Sequence, residues 1–319
     1  MAGAELKLFS GNAHRELAGR IASLLNTRLG DAVVSRFPNG ETRVQIMESV
    51  RNSNVFIIQP TCPPVNEHIM ELLIMADAMR RAAPLSIVAV IPYFGYAKQD
   101  KRKSGREPIT AKLVAALIKN AGVGHVVTVD LHSEQIEGFF NMPVENLPVN
   151  HLISDYIKKR GFKDVVVVSP DTGGAKRARK LAELLNTNIA VIDKHRSDYS
   201  CAKAIGVVGE VEGKTAIIFD DFIDTGSTMV EAVNAVAGKG ARSVVVCCTH
   251  PLLTGQASEK LAASHLSELV VTDTIPVPEE KRIDKLHVIS VAEMLATVIR
   301  NLHSRTSISG IFPHSNSKE

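Results

Sequence analysis

Aromatic residues are scarce in this chain. Tryptophan is absent from the 319 residues, and Phe, Trp and Tyr together make up only 4%. A base-stacking platform for nucleic acid therefore has little support.

Lys and Arg total 37 against 34 Asp and Glu, a net charge of +3, which is too even for bulk binding to nucleic acid. We expect no nucleic-acid partner.

Cysteine is also rare, and the four thiols are Cys62, Cys201, Cys247 and Cys248. None has the CxxC spacing typical of zinc sites. Cys247 and Cys248 lie in an apolar run, where thiols pack as small hydrophobic groups. We interpret all four as reduced residues, as is typical of cytoplasmic proteins.

Long hydrophobic runs and several well-known motifs are missing. No apolar stretch reaches the roughly 18 residues of a membrane span, and the first residues lack the pattern of a signal peptide. The chain contains no GxxxxGK[ST], GxGxxG, HExxH or GxSxG motif. We therefore expect no membrane contact, and dehydrogenase and hydrolase functions are disfavoured.

Apolar runs alternate with helix-period segments along the chain. The composition, 45% hydrophobic and 22% charged, is that of a globular protein. The runs are short, β-branched and nearly continuous, which is typical of strands buried on both faces of a parallel sheet. They occupy residues 55–58, 87–91, 126–129, 165–168, 190–192, 216–219 and 244–246. Amphipathic segments at 14–25, 66–82, 109–120, 175–185, 229–239 and 291–302 predict helices.

This alternation runs twice, so we predict an α/β protein with two similar domains, each a mostly parallel sheet flanked by helices. The boundary falls at residues 148 and 149, which gives domains 1–148 and 149–319. Packing of the last helix and tail back on the first domain stays open at this point.

The sharpest local signal lies at residues 217–228, where a buried strand runs into carboxylates, a turn of small residues and a helix. Ligands bind at the carboxyl ends of strands in open parallel sheets. The turn supplies N–H groups and hydroxyls at a helix N-terminus, which suits a phosphate, and the carboxylates suit sugar hydroxyls or hydrated Mg²⁺. Helix capping by solvent-facing polar residues is the alternative. The candidate residues are Asp220, Asp221, Asp224, Thr225, Gly226, Ser227 and Thr228.

This segment resembles the ribose-phosphate-binding motif of type I phosphoribosyltransferase folds. Further landmarks narrow the resemblance to the phosphate-activated ribose-phosphate pyrophosphokinases, also called phosphoribosyl pyrophosphate synthetases. They occur in order at residues 37–41, 70–75, 91–100, 106–115, 130–133, 138–140 and 168–175. The resemblance implies transfer of the diphosphoryl group of ATP to the C1 hydroxyl of ribose 5-phosphate, giving phosphoribosyl pyrophosphate and AMP for nucleotide biosynthesis.

The resemblance also implies catalytic residues. Lys194 and Arg196 follow the predicted strand at 190–192 and are expected to open a mobile catalytic loop that holds the transferring phosphates. His132 and Asp171 resemble the residues that bind Mg²⁺, with phosphates and waters completing the coordination. Gly173 and Gly174 are expected to bring the backbone close to ribose 5-phosphate.

ATP is expected at a second group of residues, again by resemblance. Phe37, Asn39 and Glu41 match a loop that recognises adenine in the active site of a neighbouring subunit. The same resemblance extends the ATP site to Lys98, Gln99, Asp100 and His132. It also implies a homo-oligomer, a hexamer built from dimers. Inorganic phosphate as activator, or ADP as inhibitor, is expected at Ser49, Arg51, Arg106, Ser307 and Ser309.

Two other functions stay open from the sequence. A non-catalytic regulatory subunit of such an enzyme would show damage to the catalytic residues, but Lys194, Arg196 and Asp220 are present. A phosphoribosyltransferase would use phosphoribosyl pyrophosphate with a nucleobase. Two α/β domains and the landmark at residues 37–41 disfavour it.

Overall fold

The structure is a computed structural model that describes residues 4–196, 203–308 and 310, with the side chains of 194–196 and 203–205 outside that description. The strands are β1 (Glu5–Ser10), β2 (Ala32–Arg36), β3 (Thr42–Ile46), β4 (Ser53–Ile58), β5 (Ser86–Ile91), β6 (His125–Val129), β7 (Val144–Leu147), β8 (Val165–Ser169), β9 (Ile189–Arg196), β10 (Lys203–Val208), β11 (Thr215–Ile223), β12 (Ser243–Pro251), β13 (Glu268–Thr272) and β14 (Leu286–Ile289). The helices are α1 (Arg15–Leu24), α2 (Val65–Arg81), α3 (Thr110–Asn120), α4 (Asn150–Arg160), α5 (Ala175–Leu185), α6 (Ser227–Gly238), α7 (Ala257–Ala262) and α8 (Ala292–Ser304).

The chain divides into two compact units. The first comprises Met1–Pro148, Thr274–Pro276 and Val291–Ile311, and the second comprises Val149–Asp273, Val277–Ser290 and Phe312–Glu319. The last helix, α8, therefore belongs to the first unit, where it packs on α1.

The first unit contains a parallel sheet with the strand order β1-β4-β5-β6-β7. Strands β4 and β5 are almost entirely buried. Their β-branched, non-alternating sequences suit a sheet covered on both faces, so the predicted fold class is confirmed.

A separate antiparallel hairpin, β2–β3, projects from this unit, and the sequence pattern did not predict it. Its loop closes with a hydrogen bond from the Phe37 N–H to the Glu41 carbonyl and contains Gly40 at φ +91°. The apolar side chains of the hairpin pack against the core, and β3 lies against α2.

The second unit contains the sheet β10-β9-β8-β11-β12-β13-β14. All neighbours are parallel except β9 and β10, which pair antiparallel. This pairing corrects one expectation: Lys194 and Arg196 are the end of strand β9, opposite Ile205 and Lys203, and do not open a loop after Ile192. Ladder hydrogen bonds to β10 extend the strand beyond its apolar run.

Cys62, Cys247 and Cys248 are buried and form no disulfide among the described residues, while Cys201 lies outside the described residues. Within the same described ranges, the helices include none that combines the length and apolar character needed to cross a bilayer.

Candidate active site

The carboxyl end of β11 carries two carboxylates that share one arginine. Arg177, from the first turn of α5, places Nη1 3.2 Å from Asp220 Oδ1 and 3.1 Å from Asp221 Oδ1. Asp221 is 3% exposed, whereas Asp220 retains 21%. Asp220 is thus the carboxylate that a ligand can reach, and Asp221 mainly holds Arg177.

The charge state of Asp220 reflects this crowding. Burial, and then repulsion from Asp221, raise the pKa of Asp220 well above its ordinary value, while Arg177 acts in the opposite direction. The ionised pair is therefore poised to gain from a cation or from hydroxyl donors supplied by a ligand.

Arg177 was not predicted from the sequence. A cation in the first turn of a helix opposes the helix dipole, because that end carries partial positive charge. This unfavourable placement was the available signal that Arg177 has carboxylate partners.

Residues 224–228, which we call the cradle, form the turn where β11 leads into α6. Gly226 is the N-cap of α6 at φ +76°, and a Cβ there would lie 3.3 Å from Ala257. Thr225, Ser227 and Thr228 are exposed, so their hydroxyls are accessible at the helix N-terminus. Asp224 accepts a 2.6 Å hydrogen bond from Thr254 Oγ1.

A second residue missed in the sequence lies beside this cradle. The ammonium of Lys260, on α7, lies 3.4 Å from Ser227 Oγ. Lys260 follows Ser227 by more than thirty residues and sits in a short helix without any motif. Only the tertiary structure brings it to the loop.

The loop after β8 carries Asp171, Gly173 and Gly174 at the same edge of the sheet. Asp171 Oδ1 accepts a 2.8 Å hydrogen bond from the Gly174 N–H at the start of α5, and its carbonyl accepts 2.6 Å from Ser169 Oγ. A Cβ on Gly174 would lie 2.9 Å from Ser169 Oγ, so a larger residue there would require the Ser169 side chain to move. Asp171 is exposed despite its capping bond.

In the first unit, the loops after β5 and β6 are joined through Asp100. This buried carboxylate accepts hydrogen bonds from Ser133 Oγ at 2.7 Å and Gln135 Nε2 at 3.0 Å. The neighbouring residues Lys98, Gln99 and His132 are exposed. Asp100 therefore fixes the loops, and its neighbours face solvent.

The hairpin tip presents Phe37, Asn39 and Glu41 to solvent. Asn39 Oδ1 accepts a 3.1 Å bond from the Glu41 N–H, and the guanidinium of Arg43 lies 5.9 Å from the Phe37 ring centroid. Phe37 is 45% exposed, so one face of its ring is accessible at the hairpin tip.

The candidate regulatory residues are spread over the first unit. Ser49 and Arg51 precede β4 at the amino edge of the sheet, whereas Arg106, at φ +65°, lies in the loop that leaves the carboxyl end of β5. Ser307 follows α8, and its carbonyl accepts a hydrogen bond from Asn301. Ser309 and the side chains of Lys194 and Arg196 lie outside the described residues.

Comparisons with known proteins agree with this arrangement. The family model for the N-terminal domain of ribose phosphate pyrophosphokinase matches residues 6–122, and that for the phosphoribosyl synthetase-associated domain matches residues 201–313. A ribose-phosphate pyrophosphokinase of Bacillus cereus is 50% identical over 307 residues, 96% of this chain and 97% of its own length. One from Corynebacterium ammoniagenes is 49% identical with the same coverage.

A solved structure gives the same result for the fold. The phosphoribosylpyrophosphate synthetase of Mycobacterium smegmatis superposes with a TM-score of 0.90 at 42% identity, covering 94% of this chain and 99% of its own. Both units are thus reproduced in a protein of that activity. The chain belongs to the ribose-phosphate pyrophosphokinase family.

Proposed function

We infer that this chain transfers the diphosphoryl group of ATP to the C1 hydroxyl of ribose 5-phosphate, releasing 5-phosphoribosyl 1-pyrophosphate and AMP. Relatives that are named for this activity match this chain over 97% of their own length. The observation that supports this assignment at the level of residues is the edge of β11, where the partly exposed carboxylate of Asp220 lies near the N-terminus of α6.

Ribose 5-phosphate fits this edge of the sheet in one orientation. Its phosphate lies in the cradle of residues 224–228, where N–H groups and the hydroxyls of Thr225, Ser227 and Thr228 surround it. Asp220 and Asp224 then face the sugar hydroxyls, while Asp221 and Arg177 hold Asp220 in place. Gly173 and Gly174 let the neighbouring loop approach the sugar.

Catalysis needs neutralisation of the transferring phosphates and in-line positioning of the C1 hydroxyl. We assign the neutralisation to Lys194 and Arg196 on β9, the strand that follows α5 in the second unit. Loss of such a positioned charge in the transition state is costly in any phosphoryl transfer.

Mg²⁺ is the cofactor that suits these donors, because the exposed carboxylates at the strand ends offer the oxygen ligands that it prefers. Among the described residues, no three His, Cys, Asp or Glu side chains form a closed metal site. Asp171, in the second unit, and His132, in the first, are each proposed as a ligand of Mg²⁺ that substrate phosphates complete, and bound Mg²⁺ would supply charge neutralisation.

ATP binding falls to the first unit. Phe37 offers a ring face for the base, and Asn39 and Glu41 offer polar groups for its edge, while Lys98 and Gln99 lie on the solvent-facing loop that Asp100 anchors. In this proposal the hairpin contributes to the active site of a neighbouring copy, within a hexamer built from dimers.

Regulation by inorganic phosphate or ADP belongs to the same proposal. Ser49 and Arg51 lie at the opposite edge of the sheet from the loop of Arg106. A β-strand of this length separates them by roughly 17–20 Å. A single site containing all of them is most simply built from different copies of the chain. The three thiols of the described residues form no disulfide, which further favours a cytoplasmic location.

A product assay tests the function directly. Purified protein with ribose 5-phosphate, ATP and Mg²⁺ should yield equal amounts of AMP and phosphoribosyl pyrophosphate, read by phosphorus NMR, with a higher rate when inorganic phosphate is present. ADP as the product would mean an ordinary kinase. A folded oligomer without any turnover would restore the regulatory-subunit hypothesis.

A further inference from the structure

The cradle has a second wall, formed by the loop after β12 and by α7. Strands β11 and β12 are parallel neighbours, so the chain leaves both at the same edge of the sheet. The Leu253 N–H donates to the Ile223 carbonyl at 3.0 Å, and the Thr254 N–H donates to the Asp224 carbonyl at 2.9 Å. These two hydrogen bonds hold the loop after β12 against the loop after β11.

Close packing then fixes α7 against the cradle. Gly226 has no side chain, and a Cβ there would lie 3.3 Å from the Cα, Cβ and carbonyl oxygen of Ala257. Ala257 is fully buried and is the first residue of α7. The helix therefore cannot shift away from or toward the cradle without disturbing both loops.

This placement aims one lysine at the cradle. Lys260 lies one turn after Ala257 on α7, is exposed, and approaches Ser227 Oγ at 3.4 Å. Ser227 is the first residue of α6, where the backbone N–H groups are free of partners within the helix. An anion bound at these N–H groups would lie within reach of the Lys260 ammonium.

The negative charge of the site explains why a lysine would be needed there. Asp220, Asp221 and Asp224 bring three carboxylates to the strand end, and Arg177 is already engaged with two of them. A phosphate dianion entering next to these carboxylates needs a further cation. Lysine suits the task, because its ammonium acts as a point charge on a flexible stem.

We propose that Lys260 is a direct ligand of the 5-phosphate of ribose 5-phosphate and, through α7, forms the second wall of the cradle. This inference rests on the proposed function for the identity of the sugar phosphate. The phosphate lies at the far end of the sugar from the reacting C1 hydroxyl, so Lys260 stabilises the bound substrate and the transition state equally.

Calorimetric titration with ribose 5-phosphate tests the proposal without turnover. Lys260→Met should weaken binding by about tenfold or more, the range for a hydrogen bond to a charged group, and Lys260→Arg should retain most of the affinity. The matched control is Lys285→Met. Its ammonium contacts α7 from another side, at the Ala262 carbonyl, and its loss should leave affinity within about twofold.

Kinetics add a readout that a structural role would not give. Lys260→Met should raise KM for ribose 5-phosphate while KM for ATP and kcat stay close to wild type. The affinity of the variant should also depend less on salt. Binding by Lys260→Met equal to that of the Lys285→Met control would overturn the proposal.

The two ideas fail separately. If the wild type binds ribose 5-phosphate through Lys260 but forms no phosphoribosyl pyrophosphate, the proposed function is wrong and the ligand assignment holds. If product forms and Lys260→Met binds normally, only the ligand assignment is wrong.

Discussion

At the scale of single residues, the site depends on a carboxylate pair held in an unfavourable state. Asp220 and Asp221 are adjacent, yet Arg177 contacts both, and the Asp221 N–H donates to Asp220 Oδ1 at 2.9 Å. One guanidinium compensates two partly or wholly buried charges. The free protein therefore carries like-charge repulsion that a bound substrate or cation can relieve.

Asp220→Asn should make the free protein more stable while it abolishes turnover. A raised pKa means that the folded state disfavours the ionised carboxyl, so stability is complete below the unfolded pKa of about 4 and falls as pH rises toward the folded value. Asparagine does not ionise, so the variant should not lose stability in this way as pH rises. Thermal melts should show a gain of about 2–4 °C near pH 8 that shrinks toward pH 4.

Asp224→Asn is the control for that gain, since Asp224 bonds to Thr254 and is not part of the pair. Its melting temperature should not rise. An Asp220→Asn melting temperature at or below wild type at pH 8 would contradict the account of the pair.

Lys194→Ala and Arg196→Ala should each lower kcat by about a hundredfold or more, the scale of losing one positioned electrostatic group. The control is His195→Ala between them. His195 has no assigned role in holding the transferring phosphates, so its removal should have a much smaller effect on kcat. Near-normal turnover by a folded Lys194 or Arg196 variant would remove that residue from the mechanism.

At the scale of elements, the loops that follow β8 and β11 are positioned by contacts with neighbouring segments. Gly226 begins α6 in the left-handed region and touches α7, and Gly174 begins α5 against Ser169. At Gly226 the absence of a Cβ allows the left-handed turn that begins α6, whereas Gly174, at φ −80°, has ordinary right-handed backbone.

Gly226→Ala should raise KM for ribose 5-phosphate by tenfold or more and lower stability. The left-handed conformation costs an alanine about 1 kcal/mol, and its Cβ would crowd Ala257. Gly238→Ala, at the last residue of the same helix, is the control. A Cβ there meets nothing within 4 Å, so the free energy of unfolding should rise by up to ~1 kcal/mol while KM stays unchanged. Equal KM values for the two variants would mean that Gly226 does not shape the cradle.

At the scale of the whole molecule, the proposed substrate residues are divided between two units, each with a mostly parallel sheet. The residues proposed to bind the sugar phosphate lie in the second unit, and the exposed hairpin tip lies in the first. A site shared between copies would make assembly a condition for ATP binding, and it would explain the exposure of Phe37.

Mixing two inactive variants tests that sharing. Phe37→Ala chains lack the base-stacking ring, and Asp220→Asn chains lack the sugar carboxylate. Random co-assembly of equal amounts should restore about a quarter of wild-type activity, because that fraction of sites receives both native parts. Native mass spectrometry should show the mixed oligomer, because the Phe37→Ala and Asp220→Asn chains differ in mass. Activity that stays at the level of the separate variants would place the hairpin in its own chain's site.

The sequence alone determined the elements whose residues lie close together along the chain. Continuous β-branched runs predicted the buried parallel strands, because only a sheet covered on both faces tolerates them. The cradle after β11 and the carboxylates before it could be read directly, since one strand end carries them all. Family motifs then supplied the chemistry.

Tertiary structure decided what depends on contacts between distant segments. The hairpin β2–β3 is half exposed and has no strong apolar run, so it was missed. The pairing of β10 extended β9 through Lys194 and Arg196. Packing alone brought Arg177 to the carboxylates and Lys260 to Ser227, because neither a periodicity nor a motif records which loops meet at the edge of a sheet.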